Sequence, residues 1–279
     1  MTLAAEPARP LEEPQHHVHL RRGDVGRYVL LPGDPGRCAL IASRFEDARL
    51  VAKNREYETW TGSLDGEPVS VTSTGIGCPS SAIAVEELAR IGADTFIRVG
   101  TSGGMQPGMR SGELAIVSGA IRDEGTSSHY LPIEFPAVAD LEVVLALREA
   151  ARRTGALARV GISQSKDSFY AELEPDRQPI APQLREQWDA YVAGGAICSE
   201  MEAAAIFVVA SILRVRAGGL MICFGAPDLS EEQLEADAAR FNLDPLLDTA
   251  VEALRVLIAG DRVAAAGEGR RPAGAAGAR

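Results

Sequence analysis

Apolar runs that end in glycine-rich turns alternate with helical segments along most of this 279-residue chain. The run Tyr28–Leu31 is followed by Gly33–Arg37, and the run Phe96–Val99 leads into Gly100–Gly104. Strands that alternate with helices favour a largely parallel sheet with helices on both faces. Such sheets bind ligands at the carboxyl ends of their strands, which is where these glycine-rich turns fall.

The spacing of apolar residues and the turn residues between them predict the individual elements. Asp65-Gly66 separates two alternating runs and predicts a hairpin, so the sheet is expected to be mixed. Strands are predicted at Arg27–Leu31, Tyr57–Leu64, Pro68–Thr74, Asp94–Val99, Glu113–Ser118, Ala158–Ser163 and Ala217–Phe224. Helices are predicted at Pro79–Ile91, Ala139–Thr154, Pro182–Val192, Glu200–Leu213 and Asp244–Ile258. The expected fold is one α/β domain with a mixed, largely parallel central sheet flanked by helices on both faces.

Length and composition favour one folded domain with loose ends. The domain is expected over residues 15–259, within the size range of a large α/β domain. Residues 1–14 are rich in Pro and Glu and predict a flexible arm. Residues 260–279 are rich in Ala, Gly and Arg and predict a disordered tail. No run is long and apolar enough to span a membrane, so no membrane partner is expected.

The charge and the cysteines limit the partners and the compartment. A formal net charge of −11 disfavours nucleic acid as a partner, because the surface as a whole repels a polyanion. Any phosphate must be attracted by local arginines and is expected to be small. The cysteines form no CxxC pair, which favours free thiols and a cytoplasmic protein. They are Cys38, Cys78, Cys198 and Cys223.

Three arginines near the predicted strand ends suit a small anion. Arg37 and Arg55 could each be an ordinary surface arginine, which is the default for any single one. Arg98 differs because it lies inside a strand that should be buried, and a buried guanidinium needs a partner. An anion held by Arg98, Thr101 and the two backbone amides that follow would satisfy that need.

Two carboxylates and an aromatic pair are further candidates. Glu200 and Glu202 flank Met201 at the start of an otherwise apolar segment, where a carboxylate could accept two hydrogen bonds from a vicinal diol. The alternative is simple complementarity to a helix N-terminus. Phe169-Tyr170 follows a polar run at a strand end. An aromatic ring there could stack on a base or sugar, or it could fill the core.

A dinucleotide site is disfavoured. Gly75-Ile76-Gly77 begins like a dinucleotide fingerprint, but Ser80 stands where the third glycine is needed. No convincing ribose-binding acid follows, so an oxidoreductase that uses a dinucleotide is not expected.

Taken together, these stretches resemble the nucleoside phosphorylase family, and in particular its uridine phosphorylase branch. The resemblance runs from about His17 to the last predicted helix, and the order and spacing of the motifs make it specific. The stretches are Gly33–Arg37, Arg55–Tyr57, Ser73–Gly77, Phe96–Thr101, Glu134–Asp140, Asp167–Tyr170 and Ser199–Glu202.

The resemblance implies a homo-oligomer, usually a dimer-based hexamer, whose subunits share active sites. The implied phosphate ligands are Gly33, Arg37, Arg98, Thr101 and, from the neighbouring subunit, Arg55. The implied sugar ligands are Glu200, Met201, Glu202 and, across the dimer interface, His17. The implied base ligands are Ser102, Gly103, Phe169, Glu172 and Arg177. The implied ligands of a monovalent cation such as K⁺ are Glu56, the Ile76 carbonyl and Ser80.

The implied reaction is reversible phosphorolysis of a uridine-like nucleoside to free base and ribose 1-phosphate. Phosphate is a co-substrate and no resident cofactor is expected. The phosphate dianion stabilises an oxocarbenium-like sugar and then bonds to it, so no protein nucleophile is required. Arg98 and Glu202 are the implied catalytic residues at the phosphate and the sugar, and Arg177 is the implied donor to the leaving base.

One position departs from the family pattern. Glu172 stands where a glutamine is expected to read uracil, and an ionised carboxylate only accepts hydrogen bonds. It would prefer a base with adjacent N–H groups, unless it is protonated or turned onto Arg177. Two alternatives therefore stay open, a hydrolytic nucleosidase of the same fold and a non-catalytic nucleoside-binding relative. Ala226-Pro227, where the family often has an amide or arginine, also motivates the second alternative, and Asp228 lies just beyond it.

Overall fold

The computed structural model describes residues 9–225, 230, 232–233 and 241–268. The strands in this part of the chain are β1 Tyr28–Pro32, β2 Glu46–Asn54, β3 Tyr57–Leu64, β4 Glu67–Thr72, β5 Thr95–Gly104, β6 Leu114–Asp123, β7 Ala137–Val138, β8 Ala158–Lys166, β9 Cys198–Glu200 and β10 Arg216–Phe224. The helices are α1 Gly36–Ala42, α2 Cys78–Arg90, α3 Leu141–Thr154, α4 Phe169–Leu173, α5 Ala181–Ala193, α6 Ala203–Leu213 and α7 Asp244–Glu268. Single 3₁₀ turns lie at Ser127–His129 and Pro175–Arg177.

All the strands belong to one mixed sheet in the order β10-β6-β8-β9-β5-β1-β4-β3-β2, with β7 beside β6. The centre is parallel, because β1 pairs with β4 and β5 in the same direction and β10 pairs with β5. The predicted hairpin at Asp65-Gly66 joins β3 and β4 in antiparallel register. Because β10 pairs with both β5 and β6, the strands from β5 to β10 close on themselves. The predicted fold class is confirmed.

Side-chain alternation along β1 explains why helices cover both faces of the sheet. Val29 and Leu31 belong to a buried cluster that includes Phe207 of α6, together with residues of α2. Tyr28 and Leu30 point to the opposite face and join a second cluster built from α3 and α7. Successive strand residues face opposite sides, so one strand supplies two cores. Among the described residues, no helix is both long and apolar enough to cross a membrane.

Several boundaries differ from the sequence prediction. β2 was not predicted, because its side chains are mostly exposed and leave no apolar alternation to detect. The first helix after β1 was also missed, since α1 is only seven residues long. The helix predicted to begin at Glu200 begins at Ala203, so Glu200 is still in a strand.

The two predicted loose ends also need correction. The tail predicted to begin at residue 260 is wrong for residues 260–268, which continue α7, whereas residues 269–279 lie outside the described part. Residues 9–14 of the predicted arm contain a turn whose Leu11 carbonyl accepts a 2.8 Å hydrogen bond from the Arg22 amide. Residues 1–8 lie outside the described part as well.

Candidate active site

The carboxyl ends of β1 and β5 and the segments after β4 and β9 enclose a cleft of about 890 Å³. Parallel pairing brings the carboxyl ends of β1, β4 and β5 to one edge of the sheet, and β9 reaches the same place by antiparallel pairing with the end of β5. The cleft contains most of the predicted phosphate, sugar and base residues. They are Gly33, Arg37, Arg98, Thr101, Ser102, Gly103, Phe169, Glu172, Glu200, Met201 and Glu202.

Arg98 lies at the floor of the cleft and is only 5% exposed. Its Nη2 is 2.5 Å from Oε2 of Glu202, and its Nη1 donates to the Leu31 carbonyl at 3.3 Å. Its Nε is buried and has no hydrogen-bond partner among the described residues. A buried charged donor without a partner is costly, so Arg98 retains capacity for an anion.

Two glycines allow the backbone to approach the Arg98 guanidinium closely. A Cβ atom at Gly33 would lie 3.2 Å from its Nη1, and one at Gly100 would lie 3.0 Å from its Nη2. Any side chain there would press on the guanidinium. The absence of a side chain at Gly33 and Gly100 therefore leaves the space that the Arg98 guanidinium occupies.

Arg37, in the first turn of α1, brings a second guanidinium to the same cleft. Burial and the positive charge of Arg98 lower the pKa of Arg37 from its usual value. Asp34 approaches Arg37 only at 4.0 Å. Two cations that share one partly buried site are stabilised by an anion between them. The pair Arg37 and Arg98 is therefore suited to hold an anion, with one of its two charges already paired with Glu202.

The carboxylates of Glu200, which ends β9, and Glu202, just beyond it, make different contacts. Glu202 accepts from the Gly77 amide at 2.7 Å and pairs with Arg98, so it links the turn before α2 to the anion site. Glu200 uses both of its carboxylate oxygens within the chain. One accepts from the amides of Glu202 and Ala203 at 2.8 Å each, and the other accepts from Ser165 and Ser163.

Glu200 thus caps the start of α6 and holds Glu202 in place. Burial and the neighbouring charge of Glu202 raise the pKa of Glu200. A direct sugar contact by Glu200 was predicted from the sequence. In the structure both of its carboxylate oxygens accept protein hydrogen bonds, which suits a positioning role, and the sugar contact stays a prediction.

The far end of the cleft holds a closed network of Lys166, Glu172 and Ser199. Lys166 Nζ lies 2.5 Å from Glu172 Oε1 and donates to Ser199 Oγ at 2.5 Å. Ser199 donates in turn to Glu172 Oε2 at 2.8 Å. All three residues line the cleft, and Lys166 and Glu172 also line an adjoining cavity of about 750 Å³.

In this network Glu172 is turned onto Lys166 and not onto Arg177, which was one of the alternatives from the sequence. Arg177 is exposed, is paired with Glu174 and lies outside the cleft, so it is not the partner of Glu172 within this subunit. Sequence reasoning missed Lys166. It is the last residue of β8 and lies three residues before Phe169, and its position at the end of a strand that reaches the cleft was the available signal.

Phe169 opens α4 and lies half-exposed at the wall of the cleft. It meets Tyr170 edge-on, with ring centroids 5.4 Å apart. An exposed aromatic face beside the polar network is suited to stack on a flat ring. Ala226, Pro227 and Asp228 lie outside the described residues.

Comparison with known proteins agrees with this geometry. A family model described as the Phosphorylase superfamily matches residues 27–257. The chain belongs to the phosphorylase superfamily. The resemblance predicted from the sequence is therefore confirmed. The matched residues include every strand of the described sheet, from β1 to β10.

Three relatives of this superfamily member are informative. A protein of Treponema pallidum (strain Nichols) named uridine phosphorylase is 47% identical, covering 88% of this chain and 95% of that relative. A uridine phosphorylase of Thermococcus kodakarensis is 49% identical over 80% of this chain and 81% of its own length. A guanosine phosphorylase of Halorubrum lacusprofundi is 41% identical over 74% of this chain and 81% of its own length.

Besides Arg177, the predicted ligands Arg55 and His17 also lie outside the cleft of their own subunit. Arg55 is exposed in the turn between β2 and β3, with a left-handed φ of 53°. His17 is held by Glu87 of α2. The Oε1 atom of Glu87 lies 2.7 Å from His17 Nδ1, and its Oε2 accepts hydrogen bonds from the backbone amides of His17 and Val18. Their predicted contribution to a neighbouring subunit's site stays a prediction.

The three predicted cation ligands lie close together at the start of α2. Ser80 Oγ is 3.4 Å from the Ile76 carbonyl, and the Glu56 side chain packs on Gly75 so closely that a Cβ there would lie 2.8 Å from its Cγ. A carboxylate, a carbonyl and a hydroxyl are oxygen donors, which hard cations prefer. The donor set therefore fits the predicted ion.

Proposed function

We propose that this chain is a phosphate-dependent nucleoside phosphorylase that cleaves the glycosidic bond of a uridine-like nucleoside. It is thus a pentosyltransferase. The observation that carries the proposal is the buried Arg98 beside Arg37, with an Nε that lacks a partner among the described residues. Hydrolysis by water does not need such an anion site. The relatives named uridine phosphorylase support the same activity.

The reaction follows from the order of groups along the cleft. Phosphate binds to Arg37, Arg98, Thr101 and the Gly33 turn, on one side of the sugar. Glu202 and Met201 hold the sugar, and Glu202 remains tied to Arg98. Phosphate and sugar are therefore fixed relative to one another by one ion pair, which favours attack by orientation.

The bond changes balance without any protein nucleophile. A phosphate oxygen bonds to C1′ as the C1′–N bond breaks, and the electron pair of that bond leaves with the base. The proton carried by HPO₄²⁻ ends on the base nitrogen, so the products are ribose 1-phosphate and neutral base. The phosphate charge stabilises the oxocarbenium-like sugar in the transition state.

The proposal extends to assembly, ion and compartment. Arg55 and His17 complete the site of a neighbouring subunit in a dimer-based hexamer. The exposed Arg55 then binds the phosphate of that neighbouring site. A K⁺ ion at Glu56, Ile76 and Ser80 stabilises the turn before α2. A cytoplasmic location accords with the four cysteines, which are all buried free thiols in the structure.

The first test is phosphate dependence. Purified protein is incubated with uridine, with and without inorganic phosphate, and uracil and ribose 1-phosphate are quantified. We expect uracil only with phosphate, in equal amount to ribose 1-phosphate. Equal release of uracil without phosphate would instead identify a hydrolytic nucleosidase. Absence of release from uridine and from a panel of other nucleosides would identify a binding protein.

A further inference from the structure

The network of Lys166, Glu172 and Ser199 joins three separate elements at the base end of the cleft. Lys166 ends β8, Glu172 lies in α4, and Ser199 lies in β9. Each residue contacts the other two at 2.5–2.8 Å. Lys166 is 10% exposed and Glu172 is 16% exposed, and both face the cleft. Such a network is rigid enough to present fixed donors and acceptors.

Counting hydrogen bonds shows what the network leaves open. A lysine ammonium has three donors, and Glu172 and Ser199 take two of them. A carboxylate has about four acceptor positions, and Lys166 and Ser199 take two of these. The pair therefore offers one N–H donor and at least one carboxylate acceptor beside each other. A single glutamine amide offers the same combination without the charges.

We propose that Lys166 and Glu172 together read the lactam edge of a base, meaning a ring carbonyl next to a ring N–H. Lys166 donates to the carbonyl, and Glu172 accepts from the N–H. Uracil, thymine, hypoxanthine and guanine all present this edge. Cytosine and adenine present an amino group beside an unprotonated nitrogen, which places donor against donor and acceptor against acceptor.

Lys166 also gains a catalytic role from this contact. Negative charge develops on the base as the glycosidic bond breaks, and it spreads onto the carbonyl oxygen. An ammonium donor at that oxygen stabilises the charge more than a neutral amide can. Lys166 thereby supplies the donor that the sequence had assigned to Arg177. This inference rests on the proposed phosphorolysis and deepens it by naming the base class and the donor.

The substrate test uses nucleosides that differ only in their edge. With phosphate present, we expect turnover of uridine, inosine and guanosine. We expect cytidine and adenosine to have kcat/KM values lower by about a hundredfold or more, because polar groups would be left unpaired. Turnover of cytidine comparable to that of uridine would overturn the edge rule while leaving phosphorolysis intact.

The variant test separates catalysis by Lys166 from a structural role. Lys166→Met should lower kcat for uridine by about a hundredfold. The loss should be smaller for 5-fluorouridine, whose base is a better leaving group and needs less help. An equal loss of kcat for both substrates would show that Lys166 has only a structural role. The matched control is Lys53→Met, which removes an exposed lysine paired with Glu58 at 2.7 Å and should leave both rates unchanged.

Two further measurements keep the outcome decisive. If Lys166→Met fails to fold because Glu172 loses its partner, the variant Lys166→Met with Glu172→Leu removes both charges and should show the same dependence on leaving group. If the wild-type protein cleaves no nucleoside, phosphorolysis fails on its own. Calorimetric binding then tests the edge directly. Tighter binding of uridine than cytidine supports it, and equal binding overturns it.

Discussion

At the residue scale, Arg98 is the central residue of the proposed phosphate site. Replacing it with alanine should lower kcat/KM by about 10²–10³-fold, because a donor aimed at the reacting anion is lost. The same change leaves Glu202 buried without its cation, so the folded state should also lose about 3 kcal/mol. Steady-state kinetics with varied phosphate, together with a denaturant titration, measure the two effects separately.

Two comparison variants make this prediction specific. Arg98→Lys keeps a charge beside Glu202 and should fold, but it should bind phosphate more weakly because a lysine cannot form paired contacts. Arg90→Ala, at the exposed end of α2, should leave kinetics unchanged. Wild-type phosphate affinity in both Arg98 variants would mean that the anion binds elsewhere.

The residues of the site were only partly predictable from the sequence. Arg37, Arg98, Glu202 and Phe169 each follow a strand end or lie inside a buried strand, and such local patterns place them in the cleft. Arg177, which the sequence offered as one alternative partner for Glu172, does not contact it in the structure. Arg177 is close in sequence, but the 3₁₀ turn at Pro175–Arg177 directs it to Glu174. Which side chain pairs with which depends on the three-dimensional path of the turn.

At the element scale, the last helix is attached to the sheet by polar contacts beyond its apolar stretch. Asp261 of α7 accepts two bonds from Arg216 of β10, at 2.9 and 2.6 Å, and one from Tyr28 of β1 at 2.6 Å. The apolar spacing of α7 ends at Ile258, so a local pattern predicts the helix end there. Contacts to residues more than forty positions away explain why the helix continues.

These contacts predict a stability that depends on pH. Burial opposes ionisation of Asp261, but the bonds from Arg216 and Tyr28 prevail and hold its pKa below the usual value. Its contribution is therefore fully present above the unfolded-state pKa and is lost as the pH falls through the folded-state pKa. Asp261→Asn, which resembles the protonated acid, should lower the free energy of unfolding by about 1 kcal/mol at neutral pH.

The difference between wild type and Asp261→Asn should shrink towards zero in acid, where the wild-type side chain is itself protonated. Denaturant titrations at neutral pH and below the folded-state pKa measure this trend. Asp248→Asn is the control on the same helix, because Asp248 is half-exposed in its bond to Arg44 and should contribute little. A difference that is constant with pH would show that Asp261 acts by packing alone.

At the scale of the whole molecule, the fold itself was the most predictable feature. Alternating strands and helices recur along the chain, and this repetition is sufficient to predict the mixed sheet with two helical layers. The proposed sharing of sites between subunits is not encoded in any local pattern. Arg55 is exposed in a turn with a left-handed φ, and the neighbouring site that it is proposed to complete would lie on another chain.

Co-expression of two inactive variants tests whether subunits share their sites. Arg55→Ala and Arg98→Ala should each be inactive alone. In a mixed dimer, one site combines the intact Arg98 of the first subunit with the intact Arg55 of the second. Random pairing in equal amounts makes half of the dimers mixed, each with one intact site of two, so activity should recover to about a quarter of wild type. If each site took both arginines from its own chain, co-expression would give no more activity than the two variants assayed separately.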